Sequence, residues 1–86
     1  MPTISRFFGI SIRMYHNEHA PPHFHAHYGN QRAVIDIETL APRRGKLPRR
    51  VLGMVVEWAV EHREELMANW ELAQLRTPLN PIEPLE

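Results

Sequence analysis

Cysteine is absent from the 86 residues. Its absence excludes both a disulfide framework and a thiolate-ligated zinc site. A reducing compartment fits this composition, and a cytoplasmic location is the expectation. Long apolar runs are missing as well. None approaches the ~20 residues of a membrane helix, and the N-terminal residues hold no signal-peptide core. A soluble protein with no membrane partner is expected. Net charge is zero, so a uniformly basic nucleic-acid-binding body is excluded too. A chain of this length has room for one small core and no second.

What charge there is lies unevenly. Residues 1–50 carry eight of the ten Lys/Arg and three of the ten Asp/Glu. The remainder carries two basic and seven acidic residues. Two surfaces of opposite sign are therefore expected. The histidines are also bunched: five of the six lie between His16 and His27.

The segment His23-Phe24-His25-Ala26-His27-Tyr28 alternates strictly. As a strand it turns His23, His25 and His27 to one face, and Phe24, Ala26 and Tyr28 to the other. Gly29-Asn30 follows as a two-residue hairpin signal. A two-residue loop pairs Tyr28 with Gln31, Ala26 with Ala33 and Phe24 with Ile35. On the other face it pairs His27 with Arg32, His25 with Val34 and His23 with Asp36. Pattern and turn agree, as a real hairpin requires.

Upstream, Thr3 to Phe8 and Ile10 to Tyr15 read as two strands with Gly9 in the turn between them. His16 to Pro22 is a loop stiffened by Pro21-Pro22. The fourth strand is expected over Gln31 to Thr39. Residues 41–48 read as a basic linker. Pro48 suits a helix start, and Val51, Val55, Trp58, Ala59, His62, Leu66 and Trp70 recur at helical spacing. An unbroken helix to Leu75 would run about 40 Å, too long for so small a domain, so a break is expected near Glu61–Arg63. Pro78, Pro81 and Pro84 rule out further helix. The expected fold is α+β: a four-stranded antiparallel meander, then one bent helix or two helices packed on the Phe24/Ala26/Ile35 face. Residues 1–76 form the domain and 77–86 an extended proline-rich tail.

Met1-Pro2-Thr3-Ile4, Met14-Tyr15, His19-x-Pro21-Pro22-His23-Phe24-His25, Tyr28-Gly29, Gly45-Lys46-Leu47-Pro48, Glu57-Trp58 and Asn69-Trp70 form a set. With these motifs the chain resembles a bacterial domain-of-unknown-function family, numbered forty-one sixty. Where that family often has Asp before the first His of the central motif, this chain has Glu18. The resemblance implies a small bacterial protein, often encoded beside another small protein in a toxin–antitoxin-like arrangement. It implies no activity.

Two functions follow from the residues taken with what the resemblance implies. The first is an interaction module acting with a small co-encoded partner, through Glu57, Glu61 and Glu65 on one helix face. A homodimer through an open sheet face is a further assembly to consider. The second is a metal-dependent hydrolase or nuclease. Imidazoles two apart on a strand, with a carboxylate opposite, supply zinc or nickel ligands; the candidates are His19, His23, His25 and Asp36. Arg43, Arg44, Lys46, Arg49 and Arg50, just before a helix N-terminus, are candidate anion or RNA contacts.

Overall fold

Alternation and turn chemistry decide the sheet. The computed structural model describes residues 3–86; Met1 and Pro2, which open the N-terminal motif, lie outside the described residues. Five strands run antiparallel in sequence order: β1 (Thr3–Phe7), β2 (Ile10–Arg13), β3 (His23–Tyr28), β4 (Gln31–Asp36) and β5 (Pro42–Gly45). The β3–β4 register is the one the hairpin pattern implies, from Tyr28 opposite Gln31 to His23 opposite Asp36. Phe8 and Gly9 both take positive φ, +50° and +79°. That conformation suits the two-residue hairpin turns that match strand twist.

The four-strand expectation is corrected to five. Pro42-Arg43-Arg44-Gly45 is exposed at each position and shows no alternation, so it reads as linker. It becomes a strand because β4 offers an edge, and β5 pairs with it through Val34 opposite Arg44. The fourth strand correspondingly ends at Asp36, where residues 37–39 turn back.

Two helices follow, α1 (Arg49–Glu61) and α2 (Arg63–Gln74). Pro48 caps α1, and its carbonyl accepts the Leu52 N–H. The break falls at His62, whose N–H donates to Ala59 in a tighter turn. The domain measures 33 × 25 × 22 Å, shorter than an unbroken helix would be. Turning at His62 lets α1 bury Val51, Val55, Trp58 and Ala59, and α2 bury Leu66, Asn69, Trp70 and Ala73.

Trp58 is fully buried against the sheet, 5.5 Å from Phe7 and 6.1 Å from Phe24 between ring centres. The helices thus cover the face bearing Phe24, Ala26, Ile12 and Ile35. Its indole N–H donates to the Glu83 carbonyl, 2.8 Å away. The C-terminal segment is extended yet packed. Ile82 is buried and its N–H donates to the Ile4 carbonyl. Asn69, 1% exposed, bonds both backbone groups of Asn80 at 2.9 Å. Among the described residues no helix is long and apolar enough to cross a membrane.

Candidate metal centre and its pocket

The face opposite the helices carries His25, His27, Arg13, Arg32 and Arg44. A loop from the end of β2 crosses one end of it. Asn17 takes φ +64°, a left-handed conformation that Asn tolerates better than most residues. The Asn17 N–H donates to the Ala73 carbonyl at 3.3 Å, and Gln74 Nε2 donates to the Glu18 carbonyl at 3.2 Å. Tied to α2 in this way, the loop brings the Glu18 carboxylate to two rings on β3. Glu18 Oε1 lies 3.1 Å from His23 Nε2 and 2.8 Å from His25 Nε2. One ligating atom from each of the three lies within 4.8 Å of the others.

His23 Nδ1 is 2.9 Å from the Pro21 carbonyl oxygen. A carbonyl only accepts, so Nδ1 carries hydrogen. In the neutral ring Nε2 is then a bare lone pair, and it faces a carboxylate oxygen. A cation must mediate that contact, either a proton or a metal ion. His25 has no such constraint; its Nε2–H can donate to Glu18 directly. Burial alone would raise the Glu18 pKa. The His25 hydrogen bond and charge, joined by those of His23, outweigh it and hold the carboxyl below its usual value.

The rings are braced. His23 is buried, 5.1 Å from Trp70 and 5.4 Å from His25 between centres. Tyr15 packs edge-on to His25 at 4.6 Å. Beside them lies a pocket of about 390 Å³, walled by Tyr15, Glu18, His25 and His27 on one side and by Arg32, Val34, Arg44 and Gly45 on the other. The His27 pKa is lowered by burial first, then by the charges of Arg13, Arg32 and His25.

An N₂O donor set suits zinc, nickel or iron. Tetrahedral bonds of about 2.1 Å put ligand atoms about 3.4 Å apart. The two Glu18 distances, 3.1 and 2.8 Å, lie a few tenths of an ångström inside that spacing, and all three ligating atoms lie within 4.8 Å of one another.

Of the sequence candidates, the structure brings His23 and His25 together and sets His19 and Asp36 apart from them. His19 is exposed on the loop. Asp36 lies opposite His23 in the ladder, but its carboxylate is held by Arg43. Arg44 lines the pocket; Lys46 follows β5, and Arg49 and Arg50 are exposed in the first turn of α1. Glu57, Glu61 and Glu65 are exposed, but the helix break divides them: Glu65 bonds His62 Nδ1, and Glu57 and Glu61 share a hollow with Glu83 and Glu86. His62 packs on Trp58, away from the other histidines. Sequence reasoning passed over Glu18 as a ligand and Arg32 as a pocket wall. The signal for Glu18 was a carboxylate directly preceding the His19-x-Pro-Pro-His motif.

The model of the family described as Domain of unknown function (DUF4160) matches residues 9–71. The chain belongs to that family. The DUF4160 span runs from the β1–β2 turn into α2 and includes Glu18, His23 and His25. Among curated proteins and solved structures, none matches the chain.

Proposed function

We propose that Glu18, His23 and His25 hold a divalent metal ion, zinc or nickel, and that the adjoining pocket is a hydrolytic site. One observation carries this reading: the Pro21 carbonyl accepts from His23 Nδ1 and so turns Nε2 toward the Glu18 carboxylate, a contact that needs a cation between the two. Metal-binding histidines characteristically donate their other ring nitrogen to a backbone carbonyl or carboxylate. Three protein ligands leave one position open for water. An ion there would supply a water of lowered pKa and a Lewis acid. The remaining work belongs to the chain. Tyr15 and the Pro21 carbonyl fix the rings, and Arg32 and Arg44 receive an anionic ligand. Elemental analysis of protein purified without a His tag tests the proposal. About one equivalent of zinc or nickel, retained through desalting, supports it. No metal, even after zinc addition, overturns it.

The helix layer supports a second role. Glu57, Glu61, Glu83 and Glu86 line one acidic hollow, and Val60 stands exposed on the same helix. This surface suits docking of a small basic protein, such as a co-encoded partner in a toxin–antitoxin-like pair. It lies on the helix layer, away from the pocket, so both roles fit one molecule.

A further inference from the structure

We infer that the open face of the sheet binds single-stranded nucleic acid, whose phosphodiester backbone enters the pocket beside Glu18, His23 and His25. As an assignment of substrate class this rests on the metal-centre reading; the binding itself does not.

Register places the cations. Arg6, Ser11, His27 and Arg32 form one cross-strand row over β1–β4. Arg13, His25, Val34 and Arg44 form the next over β2–β5. Residues directly opposite in antiparallel strands share a face, so four guanidinium groups stand on one side of the sheet. At strand spacings of ~4.8 Å, a row across four strands spans about 14 Å. The neighbouring carboxylates are already engaged, Asp36 with Arg43 and Glu18 with the histidines. Arg13 Nε is shielded from solvent and has no partner among the described residues. The complement of such a face is a polyanion whose charges repeat along its length, and arginine receives phosphate in bidentate fashion.

A second observation points to bases. Phe8 is 60% exposed and holds φ +50°, which costs a large L-residue energy that Asn or Gly would avoid. With Arg6 and Ser11 it lines a hollow of about 310 Å³ at the end of the first row. An aromatic ring kept on the surface against its backbone preference, next to the cation row, is a stacking platform. Duplexes hide their base faces; a single strand can lay one on Phe8.

Fluorescence polarisation with labelled single-stranded RNA and DNA of roughly 12 nucleotides, and with a duplex of the same sequence, tests this. The protein is held in chelator. Single strands should bind at least about tenfold tighter than the duplex. With three to four phosphates engaged, log affinity should fall against log salt with a slope of about −2 to −3. Arg32→Gln with Arg44→Gln should weaken binding by about tenfold or more and make the slope shallower by about 1.4. Phe8→Asn should raise the melting temperature and yet weaken binding at least about fivefold. Arg49→Gln with Arg50→Gln, an equal loss of charge off this face, should change affinity less than about twofold. Tighter binding of RNA, tighter binding of DNA or equal binding of both supports the inference, and a preference names the strand. No binding at low salt, equal duplex affinity, equal loss in the Arg49/Arg50 pair, or full competition by poly-glutamate overturns it. Oligonucleotide binding is read in chelator, and metal uptake is read separately on protein without oligonucleotide. Binding without any metal uptake therefore sinks only the metal reading, and metal uptake without binding sinks only this one.

Discussion

Alanine at Gly45 should cost the fold far more than alanine at Gly29, although both glycines hold positive φ, +83° and +59°. At Gly29 an added Cβ meets nothing within 4 Å. Only left-handed strain remains, about 1 kcal/mol. At Gly45 the same Cβ would lie 2.3 Å from the Arg32 carbonyl oxygen and 3.0 Å from Ala33 Cα. Those are backbone atoms of β4, fixed by ladders on both sides, so they cannot swing away. β5 must pull off β4 at that point. The Lys46 N–H to Arg32 carbonyl bond, 2.9 Å, goes with it, a loss of about 1 kcal/mol. Strain, the lost bond and the separated edge together reach about 3 kcal/mol. In a domain of this size 1 kcal/mol moves the melting temperature by about 4–8 °C. Gly29→Ala should therefore lower it by about that much and Gly45→Ala by about 12 °C or more. Thermal and urea unfolding followed by circular dichroism and tryptophan emission give both numbers. Equal losses, or an unchanged Gly45→Ala, would refute the placement of β5 and with it the Arg44 wall of the pocket.

The C-terminal segment is expected to stabilise the domain. Asn69→Ala removes two buried hydrogen bonds and should cost about 2 kcal/mol, with faster amide exchange at Ile82 than in the wild type; an unchanged exchange rate would show that Asn69 does not hold the segment. Because Glu18 has a lowered pKa in the folded protein, the stability it contributes is present at neutral pH and lost as pH falls below about 4.5 through the folded pKa. Glu18→Gln, unfolded in chelator, should show a shallower loss on acidification, and an identical acid limb would contradict this. Reversing Glu57, Glu61 and Glu65 to Lys should leave the melting temperature within about 3 °C and weaken capture of a co-encoded partner at low salt; full affinity would remove the acidic surface from that role.

Legibility from sequence varied with how local the governing physics was. The β3–β4 hairpin was readable because alternation and the Gly29-Asn30 turn fix the same register independently. The helix break was readable because a small domain cannot bury a straight helix of that length. β5 was not, since four exposed residues beginning with Pro carry no periodicity; only the edge of β4 makes them a strand. That omission propagated to the site. With β5 unseen, Asp36 looked free to serve His23, whereas Arg43 of β5 holds it. Glu18 sits on an aperiodic loop, and its place depends on ties to Ala73 and Gln74, more than fifty residues away in the chain. No local pattern carries such a contact.

Whether Glu18 completes the ligand set with His23 and His25 is decided by calorimetric titration of zinc and nickel into tag-free protein at about pH 7.5 and 5.5. One site per chain is expected at the higher pH. Affinity should fall steeply at the lower pH, because free imidazole titrates near 6.5 and protons then compete for the ring nitrogens. His23→Ala, His25→Ala and Glu18→Ala should each weaken binding by about tenfold or more, while His19→Ala and Asp36→Asn should leave it within about twofold. A flat wild-type titration at pH 7.5, or a site that survives Glu18→Ala and disappears with Asp36→Asn, would contradict the assignment.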